Sequence, residues 1–326
     1  MPKRSNIEAI TDALQVAMSR DERVIVLGED VGKLGGVFRA TAGLQKKFGK
    51  DRVMDTPLAE AGIVGMAIGM AIYGLKPVAE IQFMGFDFLC HNQLMAHAAR
   101  MRNRTRGRWT VPMVVRMPCG GGIHAPELHS DSFEATYAHI PGLKIVMPST
   151  PHDTKGLLLA AIEDPDPVIF LEHKRIYRAV KDEVPDGFYT VPIGKGERVC
   201  EGTDVTIVTW GFMRHLAANV AKSFTAEGVS IEVIDIRSIV PLDEEMILES
   251  VRKTGRLIVL HEAARFCGLG AEIAALCAEK EMFSLKAPLE RVTGYDITMP
   301  LPKGEMMQLP SEARLVHAIR KVMEHG

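Results

Sequence analysis

The chain has 326 residues, enough for two ordinary domains, with 39 Lys and Arg against 41 Asp and Glu and a net charge of −2. This near balance argues against a general nucleic-acid or membrane-surface binder. Five cysteines without a CxxC pair indicate neither a disulfide framework nor a structural zinc site, and they favour a reduced, intracellular compartment. The N-terminus leads into an amphipathic stretch without an apolar signal core, so the sequence predicts a cytoplasmic protein.

The first half of the chain alternates short apolar runs with helical patterns. The β-branched runs predict strands at residues 23–28, 52–55, 77–83, 111–116, 143–148 and 167–172. Helices are predicted between them, mainly at residues 7–14, 61–75, 89–101 and 153–163. This alternation is typical of a mainly parallel α/β sheet.

Residues 55–74 place one carboxylate, Glu60, at the start of an apolar helix. Residues 61–75 are apolar or glycine on every side, so the helix must lie in a core or an interface, and it is too short for a bilayer. Three glycines at helical spacing favour close packing against a partner: Gly62, Gly65 and Gly69. Taken alone, Glu60 fits an ordinary glutamate at a helix start more often than a site residue.

Further candidate site residues follow predicted strands. Glu29 comes directly after the first strand, and α/β sheets bind ligands at the carboxyl ends of their strands. A surface loop acid is the more common explanation for such a residue. Phe86 and Phe88 bring aromatic rings to another strand end, where they fit either a planar ligand or the core.

His129 follows a glycine-rich loop at residues 118–122. A histidine that transfers protons in a polar cleft and a structural histidine both fit this setting. A metal site is a third alternative, although its ligands lack the spacing of a helical zinc motif; they would be His124, Glu127, His129 and Asp131. The arginines at alternate positions from Arg100 to Arg108 favour a solvated loop over a nucleic-acid site in a near-neutral chain.

The regular pattern lapses between residues 181 and 202, where prolines and glycines predict a linker. A second series follows, with strands at 204–209, 230–235 and 257–261 and helices at 212–226 and 243–253. Gly268-Leu269-Gly270 precedes another helix but lacks a third glycine, so dinucleotide binding has little support. His261 lies at a strand end and is left unassigned. We predict two domains, residues 1–187 and 203–326, joined by a linker at 188–202.

Taken together, these motifs match the sequence pattern of a known protein family. The chain resembles the beta subunits of the thiamine-diphosphate-dependent decarboxylase component of 2-oxo acid dehydrogenase complexes, of the pyruvate or branched-chain type. The blocks that carry the resemblance include residues 24–31, 55–60, 79–83, 141–144, 160–165 and 233–237. The resemblance implies an α/β fold of two domains. The N-terminal one would be a mainly parallel-sheet pyrimidine-binding domain, and the C-terminal one would resemble the C-terminal domain of transketolase.

By this resemblance, Glu60 matches the glutamate that hydrogen-bonds the pyrimidine ring of thiamine diphosphate. An acid at this position protonates a ring nitrogen, which lets the exocyclic nitrogen of the cofactor remove the thiazolium proton. The carboxylate must therefore be dry and fixed in place. The start of an apolar helix offers that environment.

The same resemblance assigns further roles. Phe86, with Phe88 as the alternative, would stack on the pyrimidine, and Leu58 would line the same pocket. His129 would face the substrate and the incoming lipoyl group. Glu29 would lie in the passage between the two cofactors of the assembled enzyme. Main-chain oxygens would hold a structural potassium ion in two segments, around Val111, Met113 and Val114 and around Ala161, Asp164 and Asp166.

An absent motif implies a partner. Thiamine-diphosphate enzymes hold the diphosphate through Mg²⁺ with a Gly-Asp-Gly sequence, which this chain lacks. The resemblance implies that Mg²⁺ has no ligand in this chain and is held by an alpha subunit, in an assembly of two alpha and two beta chains. The glycine-striped helix would contact the second beta chain. An acyltransferase component with its lipoyl domain would be the further partner, and a small 2-oxo acid the substrate, with no nucleic acid or membrane.

The implied function is oxidative decarboxylation of a 2-oxo acid and acylation of a lipoyl group, by an enzyme that is active only with its alpha subunit. One alternative is another thiamine-diphosphate enzyme of the transketolase type, such as an acetoin dehydrogenase or a split transketolase. A second alternative, from another class, is a nucleotide-binding or redox protein that uses residues 268–270. The preferred 2-oxo acid is left open.

Overall fold

The computed structural model describes residues 1–325, and within them the chain divides into two compact units. The first unit contains residues 1–119 and 136–193, and the second contains residues 120–135 and the chain from residue 194 onward. Residues 120–135 thus pack with the second unit, although they are flanked in sequence by the first. Among residues 1–325, no helix is both long and apolar enough to cross a bilayer.

The first unit is built on a parallel sheet. The strands of this unit are β1 (Lys3–Ser5), β2 (Val24–Gly28), β3 (Val53–Asp55), β4 (Lys76–Glu80), β5 (Val114–Cys119), β6 (Lys144–Val146), β7 (Val168–His173) and β8 (Lys181–Glu183). Strands β2 to β7 pair in the order β6-β7-β5-β4-β2-β3, all parallel, while β1 and β8 form a separate antiparallel pair. The central strands β2, β4, β5 and β7 are almost wholly buried, as expected for a parallel sheet.

Helices pack against this sheet. They are α1 (Asn6–Arg20), α2 (Leu44–Phe48), α3 (Glu60–Ile72), α4 (Met101–Arg104), α5 (Glu134–Ala138) and α6 (Pro151–Glu163). α1 begins at a capping box, in which Ser5 and Glu8 satisfy each other's backbone amides, and the Thr150 hydroxyl caps α6. Leucines and isoleucines of α1 and α6 share one core cluster with the strands.

The second unit repeats this arrangement on a smaller scale. Its strands are β9 (Glu197–Cys200), β10 (Val205–Thr209), β11 (Ile231–Asp235), β12 (Ser238–Val240), β13 (Leu257–Ala264) and β14 (Glu290–Gly294), and its helices are α7 (Met213–Thr225), α8 (Glu244–Thr254), α9 (Leu269–Glu281), α10 (Glu305–Gln308) and α11 (Glu312–Met323). A sheet of order β14-β13-β10-β11-β9 is parallel except for β9 at its edge. The predicted α/β architecture with two mainly parallel sheets is confirmed.

The structure differs from the sequence-based expectations in several places. The strand predicted at 111–116 runs instead from Val114 to Cys119, where it pairs with β7, and the strand predicted at 77–83 ends at Glu80. Residues 89–101 do not form one regular helix; a 3₁₀ helix at Met84–Leu89 and a π-helix at Gln93–Ala98 replace it. The irregular segment 181–202 contains the short strands β8 and β9, which form only through antiparallel pairing with distant strands. The local sequence pattern does not indicate pairing with strands that are distant along the chain.

Helix α3 has one buried and one exposed side. Ile63, Val64 and Ala67 are buried, whereas Gly62, Gly65 and Gly69 lie on the exposed side. The chain by itself therefore covers only part of this apolar helix. The predicted contact of the glycine side with another subunit stays a prediction.

Candidate active site

Three predicted site residues follow adjacent strands of the first sheet. Glu29 comes after β2, Glu60 after β3 and Phe86 after β4, and β2 pairs with both β3 and β4 in parallel. Because parallel strands end at the same edge, this topology brings all three segments to one edge of the sheet. The backbone amide of Thr56 donates to the carbonyl of Gly28 at 3.0 Å and ties the segment before Glu60 to the end of β2.

Glu60 is a buried carboxylate at a helix start. It is the first residue of α3, where the helix dipole favours negative charge, and only 4% of its surface is exposed. Within residues 1–325, no group donates a hydrogen bond to its side chain. A largely buried carboxylate that the protein itself does not bind is available to a ligand at this edge of the sheet.

Glu29 is a second acid of the same kind. It is 6% exposed, and its Oε1 has no hydrogen-bond partner in the described chain. Burial raises the pKa of Glu29, and the negative charge of Glu60 raises that pKa further. The raised pKa lets Glu29 take up a proton more readily than an ordinary glutamate does.

Next to these acids lies a fully paired ionic cluster. Arg116 is completely buried; its Nε and Nη2 donate to Glu172 at 2.6 and 2.9 Å, and its Nη1 donates to Glu80 at 2.7 Å. The Tyr177 hydroxyl also donates to Glu172. The strands β4, β5 and β7 that carry Glu80, Arg116 and Glu172 are adjacent in the sheet. This cluster is internally satisfied and needs no ligand.

The aromatic candidates differ in their packing. Phe86 is half-buried and meets Phe83 edge to face, with 5.8 Å between ring centroids. Phe88 is 54% exposed, and its ring lies 6.4 Å from that of His91. Leu58 is 78% exposed. Of the two rings, that of Phe86 is the better fixed to present a face to a planar group.

His129 lies in residues 120–132, which we call the histidine loop, and this loop packs within the second unit. The ring is half-buried, and its Nδ1 lies 2.7 Å from the carbonyl oxygen of Glu127. A carbonyl oxygen only accepts hydrogen bonds, so Nδ1 carries the hydrogen and, in the neutral ring, Nε2 carries the lone pair. His124 likewise directs Nδ1 to the carbonyl oxygen of Pro302, at 2.9 Å. Each imidazole ring is thus hydrogen-bonded to a main-chain carbonyl oxygen.

Sequence reasoning missed the groups that hold the histidine loop. The buried Glu305 of α10 accepts hydrogen bonds from the loop residues Gly122, His124 and Ser130. Glu262 of β13 accepts from the backbone of Gly121. About 130 to 180 residues separate these partners along the chain, and no local pattern signals such a contact.

His261, which the sequence left unassigned, is a buried residue of β13. Its ring stacks on Trp210 with 5.1 Å between centroids, and neither ring nitrogen has a hydrogen-bond partner in the described chain. The pKa of His261 is lowered to about 4, mainly by burial and also by the nearby cations Arg291 and Arg265. The Trp210 indole nitrogen donates to Glu134 at 3.2 Å, and burial raises the pKa of Glu134 to about 7.

The glycines of the Gly268-Leu269-Gly270 motif pack against His261. A Cβ at Gly268 would lie 3.0 Å from the ring carbon Cε1, and a Cβ at Gly270 would lie 2.7 Å from Nε2. Both glycines therefore leave room for a buried imidazole. This packing explains the motif without a dinucleotide.

Ion pairs engage the predicted potassium region. Lys144 Nζ lies 2.7 and 2.8 Å from the two carboxylate oxygens of Asp164, and Arg102 pairs with Asp166 at 2.7 Å. The main-chain oxygens of Val111, Met113 and Ala161 each accept one backbone hydrogen bond and keep a second lone pair. The potassium site stays a prediction. The pairing of Arg102 also accounts for part of the basic run.

Comparisons with known proteins identify the family of each half of the chain. The family description "Transketolase, pyrimidine binding domain" matches residues 3–180, and "Transketolase, C-terminal domain" matches residues 194–314. Among solved structures, a chain described as "Split gene transketolase, inactive beta4 tetramer" aligns with a TM-score of 0.79 at 23% identity, covering 98% of each chain. At that identity the likeness concerns the fold.

Curated relatives are similar over nearly the whole chain. The pyruvate dehydrogenase E1 component subunit beta of Acholeplasma laidlawii is 56% identical and that of Bacillus subtilis 48%, covering 97% and 99% of this chain and 97% and 100% of the relatives. The 2-oxoisovalerate dehydrogenase subunit beta of Bacillus subtilis is 47% identical, covering 99% of this chain and 100% of its own length. The family resemblance drawn from the sequence is confirmed. The chain therefore belongs to the family of E1 component beta subunits of the pyruvate and branched-chain 2-oxo acid dehydrogenases.

Proposed function

We propose that this chain supplies the pyrimidine-binding half of a thiamine-diphosphate site in a 2-oxo acid dehydrogenase. The enzyme decarboxylates a small 2-oxo acid, pyruvate or a branched-chain one, and passes the acyl group to a lipoyl domain. The observation that carries the proposal is the buried Glu60 carboxylate without a donor at the carboxyl edge of the sheet. The names of the relatives support the reaction class.

The residues at this edge fit the cofactor. When bound, thiamine diphosphate supplies an acidic ring carbon and an electron sink for decarboxylation. Glu60 would hold and exchange a proton at its carboxylate toward a pyrimidine nitrogen of the cofactor, and its largely buried position would limit the access of water. Glu29 accepts or returns a proton beside it, in keeping with its raised pKa. Phe86 provides the stacking face, and the exposed Leu58 becomes a pocket wall when a partner covers it.

His129 serves the second half of the reaction. In the overall balance, a 2-oxo acid, a lipoyl disulfide and a proton give carbon dioxide and an S-acyl dihydrolipoyl group. The S–S bond takes up the electron pair released by C–C cleavage, so one sulfur gains the acyl group and the other the proton. The Nε2 atom of His129 exchanges that proton, because Nδ1 is engaged by the Glu127 carbonyl.

The proposal requires other chains. An alpha subunit with the Gly-Asp-Gly motif holds Mg²⁺ and the diphosphate, in an assembly of two alpha and two beta chains. The exposed glycine side of α3 contacts the second beta chain. The acyltransferase component brings the lipoyl domain, and main-chain oxygens near Val111 and Ala161 bind potassium. The five cysteines, without a CxxC pair, fit a reducing compartment, and we propose the cytoplasm.

Co-expression with a Gly-Asp-Gly alpha chain tests the proposal. The complex is assayed for lipoyl-domain acylation with pyruvate and with branched-chain 2-oxo acids, and for ketol transfer to an aldose. We expect acylation, and a Glu60→Gln complex that assembles but loses at least ~100-fold in rate. Glu22→Gln, at an exposed position, is the control. Wild-type exchange of the thiazolium proton in Glu60→Gln would remove Glu60 from its role, and ketol transfer without acylation would favour the transketolase alternative.

A further inference from the structure

A single carboxylate from the C-terminal part of the chain binds the histidine loop on both sides of His129. Glu305 is only 1% exposed. Its Oε1 accepts from the backbone amide of Gly122 at 3.0 Å and from the hydroxyl of Ser130 at 2.8 Å, and its Oε2 accepts from the backbone amide of His124 at 2.6 Å. Ser130 is the immediate neighbour of His129, so Glu305 spans the loop.

Three further contacts close the loop near its base. The backbone amide of Gly120 donates to the carbonyl of Asp131 at 2.9 Å. Glu262 accepts from the backbone amide of Gly121 and lies 3.5 Å from the hydroxyl of Ser132. These contacts fix the ends of the loop, whereas Glu305 fixes its interior.

The loop backbone needs this support. His124 and Leu128 have φ angles of +56° and +65°, which side chains with a Cβ seldom adopt and which persist only when surrounding contacts hold them. A carboxylate suits the task because it only accepts hydrogen bonds, and bonds to an ionised acceptor are stronger than neutral ones. A glutamine at 305 would turn an amide group toward at least one donor and lose that bond.

We propose that Glu305 is a positioning residue for His129, acting through the loop rather than on substrate. The Nδ1 of His129 bonds to the Glu127 carbonyl of the same loop. The loop conformation thereby sets both the ring orientation and the nitrogen that carries the hydrogen. The inference rests on the proposed role of His129 in acyl transfer. Through Glu305, the C-terminal part of the chain would help to set the orientation of an active-site residue.

The test uses the assembled alpha–beta enzyme with Glu305→Gln. We expect kcat for lipoyl-domain acylation to fall ~10–100-fold, since a small misplacement of a catalytic group costs rates of that order. Decarboxylation with an artificial electron acceptor and KM for the 2-oxo acid should change less than ~3-fold, because the proton exchange proposed for His129 belongs to acyl transfer. Ser130→Ala, which removes one of the three bonds, should give a smaller loss of the same kind. Glu312→Gln, at an exposed position, is the matched control.

Two measurements separate positioning from general support. In a His129→Ala background, Glu305→Gln should add no more than ~2-fold, because residues that act as one unit are not additive. Imidazole ¹⁵N shifts should report the Nδ1–H form of His129 in the wild type and a mixture of tautomers in Glu305→Gln. A parallel fall of both activities, an additive double variant or unchanged ¹⁵N shifts would overturn the inference.

The design also distinguishes this inference from the proposed function. If His129→Ala leaves acyl transfer intact, the proposed role of His129 fails, and the ¹⁵N shifts alone decide whether Glu305 orients the ring. If His129→Ala abolishes acyl transfer while Glu305→Gln matches the wild type, the role of His129 stands and the inference fails. Should Glu305→Gln not assemble, Ser130→Ala is judged by the same activities and shifts.

Discussion

Two groups of buried acids in this chain differ in what they bind. Glu80 and Glu172 are saturated by Arg116, and Glu305 is saturated by three donors of the histidine loop. Glu60 accepts no hydrogen bond within residues 1–325, and Glu29 has an unpaired oxygen. The saturated acids hold parts of the chain together, whereas the unsaturated ones lie where the proposed cofactor binds. Burial alone does not distinguish the two groups; their hydrogen-bond partners do.

The largest expected effect comes from breaking a saturated cluster. Arg116→Met leaves Glu80 and Glu172 buried without their cation, which should lower the free energy of unfolding by about 3–5 kcal/mol. Urea unfolding followed by circular dichroism measures the loss. Arg23→Met is the control, since Arg23 is 60% exposed in its ion pair with Asp21 and should matter by less than ~1 kcal/mol. Equal losses for the two variants would contradict the comparison.

His261 is a buried base without a hydrogen-bond partner in the described chain, and it should make the stability of the protein depend on pH. Its pKa of about 4 lies below the usual 6.5, so the unfolded chain binds more protons between these values and stability falls as pH falls. From pH 8 to pH 5 the wild type should lose about 2 kcal/mol through this residue. Unfolding of wild type and His261→Phe at both pH values isolates that share. A variant with the same pH dependence as the wild type would refute the assignment.

Glu60→Gln should have a small effect on stability, in contrast to its effect on activity. No bond within the described chain is lost, and a buried charge is removed, so the free energy of unfolding should stay unchanged or rise by up to ~1 kcal/mol. Removing that charge should also lower the pKa of Glu29, without restoring it to the usual value because burial remains. Carboxyl ¹³C titration measures the shift. If the substitution left the pKa of Glu29 unchanged, the two acids would not interact electrostatically.

The smallest expected effect concerns the glycine side of α3. A Cβ at Gly69 meets no atom within 4 Å, so Gly69→Ala should stabilise the free chain by up to ~1 kcal/mol through helix propensity. The same substitution should weaken assembly if this side contacts another subunit. Sedimentation and urea unfolding test both parts. Asn219→Ala, at an exposed position of α7, is the control that should leave assembly unchanged.

Sequence periodicity predicted most of the strands and helices of both sheets, because buried parallel strands are continuous apolar runs. It also placed Glu60 at a helix start, where burial follows from the apolar residues after it. It missed Glu305 and Glu262, since a carboxylate that binds a loop more than 100 residues away leaves no local pattern. The irregular helix at 84–98 was missed for a related reason: tertiary packing overrides local preference.

The buried Trp210 gives the molecule a natural optical reporter. The chain has two tryptophans, and Trp109 is 45% exposed. Trp210 is 3% exposed and donates to Glu134, a residue of the segment 120–135 that also carries His129. Loosening of that segment would hydrate the indole and shift its emission to longer wavelength. With Trp109 replaced by phenylalanine, fluorescence would follow the segment's motion directly during turnover.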